Sequence, residues 1–152
     1  MADSLYLLDT DTLIFMIRAL KAGSPGERQW ELGRNVLARV REHMSEGVRV
    51  CVSAVTVSEL EFGAAVATHP IRERRAVSKI LSPFELLEYD AVNAPRHYGE
   101  IRAALRASGN RIGAMDLMIA AHVRSVGATV VTNNIKEFQR VAGLRCVNWT
   151  VA

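Results

Sequence analysis

The tightest constraint on this chain is a repeated pairing, in which an apolar run too short for a helix is followed at once by a stretch with helical spacing. Leu5-Tyr-Leu-Leu8, Arg49–Val55, Phe84–Tyr89 and Ala128–Thr132 are such runs, and Leu144–Val147 is a shorter one suited to a sheet edge. Between them, Leu13–Leu20, Glu27–Glu46, Thr56–Ala67, Pro70–Leu81, Asp90–Ala107, Ala114–Val126 and Asn134–Val141 read as helices. Lys21–Gly26 is a loop of breaker residues. Strands that alternate with helices form a mainly parallel sheet covered on both faces. The expected fold is α/β, a three-layer α/β/α arrangement with a mainly parallel central sheet. No repeat, low-complexity tract or linker divides it, so residues 1–152 read as a single domain.

The first run ends abruptly in Asp9-Thr10-Asp11-Thr12. In an open parallel sheet, chemistry gathers outside the carboxyl ends of the strands. Other acids stand at corresponding corners: Glu59 soon after the second run, Asp116 at the start of an apolar helix, and Glu137 just past Thr132-Asn133-Asn134. Each has an ordinary alternative. Thr56-Val-Ser-Glu59 and, more loosely, Asn134-Ile-Lys-Glu137 have capping-box spacing. Asp116 could serve only the helix dipole, and Asp11 could cap a helix with Asp9 in solvent. Asp9, continuing a core strand, and Asp116, set among apolar residues, resist those readings best. Carboxylates crowded on one rim repel one another unless a cation neutralises them, and hard oxygen ligands suit Mg²⁺ or Mn²⁺. Such a site can activate water and stabilise charge on a phosphoryl oxygen.

A formal charge of +3 permits a polyanionic partner without requiring one. The arginines divide between a solvated face and phosphate contacts: Arg72, Arg74 and Arg75 cluster, while Arg102 and Arg106 are an i, i+4 pair approaching Arg111 and its glycine-flanked loop. Cys51 and Cys146 lack CxxC spacing and read as buried thiols. Trp30, Leu37, Val40 and Met44 share one helical stripe and read as core or dimer contacts, and His122 as a packing or hydrogen-bonding residue. Asp3, Asp9 and Asp11 interrupt any apolar leader, and no run reaches the ~18 residues a membrane span needs, so a cytoplasmic protein is expected.

Four motifs in order, Leu7-Leu-Asp-Thr-Asp-Thr-Leu-Ile14, Ser53-Ala-Val-Thr-Val-Ser-Glu-Leu-Glu-Phe-Gly63, Gly113-Ala-Met-Asp-Leu-Met-Ile-Ala-Ala-His122 and Val131-Thr-Asn-Asn-Ile-Lys-Glu-Phe138, resemble PIN-domain ribonucleases. The nearest likeness is to VapC-type toxins of toxin–antitoxin pairs, and it spans nearly the whole chain. The resemblance implies a PIN-like fold, RNA cleavage with Mg²⁺ or Mn²⁺, an RNA substrate such as a tRNA loop, a homodimer, and a VapB-type antitoxin bound in a hetero-oligomer. It places Asp9, Glu59 and Asp116 in the acidic site, with Asp9 and Asp116 on the metal. It implies in-line attack by water that leaves a 5′-phosphate and a 3′-hydroxyl. Two positions depart from the family pattern. Asn133 and Asn134 stand where an Asp is common, leaving the fourth position to Asn134 or Glu137, and Asp11 stands where an Asn is common, as a helix cap or outer group. Thr10 and Thr132 are candidates to hold ligands by their hydroxyls, and Arg102, Arg106 and Arg111 to bind substrate.

Two other readings compete. Asp9-Thr-Asp11-Thr12 fits the DxDxT pattern of haloacid-dehalogenase-type phosphohydrolases, with Asp9 as nucleophile, though a later pair of acids after a strand is missing. The other is a catalytically silent PIN-like module that binds RNA without cutting it.

Overall fold

The computed structural model describes residues 4–21 and 26–152; most of the expected breaker loop 21–26, and Asp3, lie outside these. The chain runs β1 (Leu5–Leu8), α1 (Thr10–Leu20), α2 (Glu27–Ser45), β2 (Arg49–Ser53), α3 (Ala54–Ala65), α4 (Pro70–Leu81) and β3 (Glu85–Leu87). It continues through α5 (Asn93–Ala107), α6 (Ala114–Ser125), β4 (Thr129–Val131), α7 (Ile135–Phe138) and β5 (Arg145–Val147). The five strands form one sheet in the order β3-β2-β1-β4-β5, and every pairing is parallel. The expected edge strand is β5, and β1 sits at the centre.

Period-two alternation along the strands separates two cores. Leu8, Val50, Val52 and Val131 face a cluster built from α1, α2, α3 and α4. Leu7, Cys51 and Val130 face the opposite cluster, where α5, α6 and Phe138 of α7 pack. Leu7 stands in register with Cys51 on one side and Val130 on the other, so β1 is buried on both faces and both edges. The chain passes from β1 out to β3, then returns across β1 to β4. The direction of winding therefore reverses between β1 and β4, the place where open α/β sheets leave a crevice.

Helix starts and faces differ from the sequence expectation in instructive ways. The α1 helix begins at Thr10, directly after its cap. The α3 helix begins at Ala54, because Ser53 ends β2 and caps the helix in one residue by accepting from the Val55 amide (3.1 Å). Asp90 takes the amides of Val92 and Asn93 in a turn that precedes α5, so that helix starts three residues later than expected. On α2 the buried residues are Gly33, Val36 and Val40, whereas Trp30 is 41% and Met44 37% exposed. The expected stripe is rotated because Gly33 lets α2 approach the α1 backbone; a Cβ there would lie 2.3 Å from the Phe15 carbonyl oxygen. Trp30 is instead covered by the Arg34 guanidinium at 4.6 Å. Cys51 is buried, Cys146 only half-buried, and both are free thiols. Among the described residues no helix is long and apolar enough to cross a membrane.

Candidate active site

Asp9 extends β1 by one residue: its amide donates to the Val131 carbonyl of β4 (3.0 Å). Its side chain then caps α1, with Oδ1 accepting from the Thr12 amide (2.9 Å). Thr12 in turn donates its hydroxyl to the Val131 carbonyl (3.0 Å), and Thr132 hydrogen-bonds the Asp9 carboxylate. Asp9 is thus 2% exposed, and burial pushes its carboxyl up to about 6 despite those hydrogen bonds. The cap expected of Asp11 belongs to Asp9. Asp11 is exposed in the first turn of α1, and its charge bears on Asp9 and Asp116 from outside.

Glu59 reaches the rim from the second turn of α3, where its Oε1 accepts the Thr10 hydroxyl at 2.5 Å. The capping-box alternative for Thr56-Val-Ser-Glu59 fails because Ser53 already holds the cap. Thr56 is buried inside the first turn, and its hydroxyl has no partner among the described residues.

Asp116 lies in the first turn of α6, half-buried. Its carboxyl is pushed up to about 7, first by burial and then by the charges of Glu137, Asp9, Glu59 and Asp11. Five carboxylates from α1, α3, α6, α7 and the end of β1 therefore share one electrostatic site at the sheet's carboxyl edge. Glu137 is closest in influence. Its Oε1 accepts the Gly113 amide (2.6 Å) and its Oε2 accepts from Asn134 Nδ2 (2.5 Å). A Cβ at Gly113 would sit 3.7 Å from Glu137 Oε1 and 3.8 Å from Asp116 Oδ2, so the glycine lies between the two acids. Asn133 turns away, accepting from Asn148 and Thr150, which leaves Asn134 and Glu137 as the pair at the fourth corner.

Among the described residues no basic side chain forms an ion pair with these acids. The ion pairs among the described residues join Lys21–Glu73, Arg49–Glu85, Arg74–Glu61 and Arg124–Glu100, all elsewhere. Nor do three or more His, Cys, Asp or Glu side chains among the described residues close around a point as a cage would. The acids line an open site.

Beside it runs a groove of about 750 Å³ lined by Tyr98, Arg102, Arg106, Arg111, Ile112 and Leu117, among others. The structure thus gathers the three expected arginines together, but on a surface next to the acids and apart from them. Tyr98, which the sequence reading passed over, shares their face one turn before Arg102, at the same i, i+4 spacing. His122 is fully buried, with Nδ1 2.6 Å from Ser53 Oγ, and burial holds its imidazole below the ordinary range. Its role is packing and hydrogen bonding to Ser53, as expected.

The PIN domain family matches residues 6–144. A tRNA(fMet)-specific endonuclease VapC from Shigella flexneri is 37% identical over 145 residues, covering 95% of this chain and 98% of that protein. The chain belongs to the VapC ribonucleases of the PIN-domain family. This membership removes the phosphohydrolase reading of Asp9-Thr-Asp11-Thr12. Ribonuclease VapC2 of Haemophilus influenzae is likewise 37% identical over 144 residues, covering 95% of this chain and 97% of the relative. Among solved structures, DNA-bound VapBC from Salmonella typhimurium superposes with a TM-score of 0.81 at 36% identity, covering 96% of this chain and 98% of the other. VapBC2 from Rickettsia felis, bound to a promoter DNA fragment, gives 0.82 at 27% identity over 95% and 98%.

Proposed function

We propose that the protein is a metal-dependent endoribonuclease, the toxin of a cytoplasmic toxin–antitoxin pair, with Asp9, Glu59 and Asp116 as its catalytic residues. The observation that carries this reading is the convergence of these acids at the β1–β4 crevice with no basic partner among the described residues. Raised carboxyl pKa values at Asp9 and Asp116 mark negative charge that the protein itself leaves uncompensated. Hard oxygen donors around an open site fit Mg²⁺ or Mn²⁺, which keep several waters and use few carboxylates. Held by Asp9 and Asp116, such an ion would supply Lewis-acid polarisation of the scissile phosphodiester and a lowered pKa for an attacking water.

The chain's own residues set the geometry. Thr12 and Thr132 fix the Asp9 carboxylate, and Thr10 fixes Glu59, so both acids are oriented before substrate arrives. Glu59 stands where it can orient a water by hydrogen bonding. Glu137 acts mainly as a tether, holding the start of α6 through Gly113 and Asn134, and adds its charge to Asp116. Asp11 contributes field from outside.

Arg102, Arg106 and Arg111 would take phosphates flanking the cut. The relative named for tRNA(fMet) cleavage supports a structured RNA such as tRNA as substrate. The neighbouring VapBC complexes support a VapB-type antitoxin in a hetero-oligomer, within which the toxin would be a homodimer. Incubating antitoxin-free protein with total RNA, with and without Mg²⁺ or Mn²⁺, tests the proposal. Cleavage should require the divalent ion and vanish in both Asp9→Asn and Asp116→Asn while the fold persists. Cleavage retained in both variants would overturn the site assignment, and binding without cleavage in the wild type would leave a silent RNA-binding module.

A further inference from the structure

We propose that the tail at residues 148–150 is a latch that positions the turn after β4 against Asp9, with Thr150 and Asn133 as its positioning residues. The inference rests on the ribonuclease reading and adds residues that act on the metal-facing acid from outside the site.

Thr132, Asn133 and Asn134 form that turn, and each is held from a different direction. The Thr132 amide donates to the Val147 carbonyl at the end of β5 (2.9 Å). The Thr132 hydroxyl accepts the Asn134 amide (2.9 Å), which leaves its own proton for the Asp9 carboxylate. Asn134 Nδ2 donates to Glu137 Oε2. Asn133 stands between these two residues and touches neither acid. Its Oδ1 accepts from Asn148 Nδ2 (3.3 Å) and lies 3.1 Å from the Thr150 hydroxyl. Asn133 therefore fixes the backbone between the residue that orients Asp9 and the residue that orients Glu137.

The tail that supplies these donors is itself rigid. Trp149 is buried, stacked on His43 of α2 with ring centroids 4.4 Å apart and tilted against Tyr6 of β1 at 5.1 Å. Asn35 of α2 donates to the Thr150 carbonyl (2.7 Å). Asn148 Oδ1 accepts the Thr150 amide (2.9 Å) and lies 2.6 Å from its hydroxyl. The hydroxyl is buried and has two carbonyl oxygens in reach, so Thr150, Asn148 and Asn133 close one polar ring. A tail that only covered the core would need the Trp149 ring and no polar reach to Asn133. The ring carries the rigidity of α2 and β1 to the turn, and through Thr132 to Asp9.

The test uses the full, antitoxin-free chain. Mn²⁺ binding is titrated by electron paramagnetic resonance without RNA, and cleavage is followed across a Mg²⁺ series. Thr150→Val keeps the shape of the side chain, while the Trp149 stack and the Asn35 bond to the backbone keep the tail docked. It should weaken Mn²⁺ binding about fivefold, less than the roughly 10–100-fold lost with a direct partner of a metal ligand. The Mg²⁺ needed for half-maximal cleavage should rise equally, with kcat at saturating Mg²⁺ and KM for RNA changed by less than about twofold. Thr150→Ser should restore wild-type binding. Asn133→Ala, at an exposed position that keeps the test open if Thr150→Val does not fold, should weaken Mn²⁺ binding to the same extent. Adding Thr150→Val to Asn133→Ala should then cost nothing further, because both act through one contact. A lowered melting temperature with unmoved Mn²⁺ binding, or additive losses in the double variant, would overturn the latch. The parent reading is judged separately: a wild type that binds no Mn²⁺, or an Asp9→Asn variant that binds it as well, would overturn the metal site and the latch with it.

Discussion

Replacing Asp9 by Asn should stabilise the metal-free protein while abolishing its chemistry. Burial raises the Asp9 carboxyl from its ordinary 3.8 to about 6. A carboxyl whose folded pKa lies above its unfolded value takes up protons on folding. Its charged form therefore costs stability above about pH 6 and costs nothing below about pH 4. At about 1.36 kcal/mol per pH unit, the full cost is about 3 kcal/mol. Asn keeps the acceptor for the Thr12 amide, but its new amide protons must find partners, at a cost of about 1–3 kcal/mol if they do not. That cost is the same at every pH, so it cancels when the variant is compared with the wild type at two pH values. Urea unfolding with metal chelated, at about pH 8 and about pH 4, should show the Asn-minus-Asp stability difference falling by about 2.5 kcal/mol toward acid. Mg²⁺ added at the higher pH should raise the wild-type midpoint and leave the variant nearly unmoved. A stability difference independent of pH would refute the claim that Asp9 is buried as a strained charge.

Three other substitutions separate roles within the structure. Glu137→Gln can keep the Gly113 bond and, with the Asn134 amide turned over, the second bond too. RNA cleavage should survive in Gln and fall at least about tenfold in Ala, whereas equal losses would make the charge itself essential. Thr10→Val removes the hydroxyl that holds Glu59 at 2.5 Å, which should cost roughly tenfold in kcat with little change in melting temperature; an unchanged rate would mean that Glu59 needs no orientation. Gly33→Ala should lower stability by about 1–3 kcal/mol despite alanine's better helix propensity, because its Cβ would meet Phe15 O at 2.3 Å and Ala19 Cβ at 2.6 Å. A thermal melt at or above the wild-type value would show that α2 can shift freely.

Much of the architecture is written in local pattern. Short apolar runs and helical spacing name every strand and helix among the described residues, and the order of motifs names the family. What the sequence reading misplaced are the features that depend on a neighbouring element. The α3 cap moved to Ser53 because β2 runs into the helix without a connecting residue. The buried stripe of α2 turned because Gly33 meets the α1 backbone. Tyr98 carries no motif and gains meaning only where its helix flanks the acidic rim.

The opening pair of acids makes the division clear. Sequence alone determined that a core strand ends in carboxylate and that further acids stand at the later corners. It favoured Asp9 over Asp11 only by its place at the end of the strand and by the family resemblance, since the two are chemically alike. Tertiary structure decided, because β4 supplies Val131 and Thr132 beside β1 and buries Asp9 while Asp11 stays in water. Burial and mutual repulsion are properties of the whole parallel sheet, and they are what turn separate acids into one site.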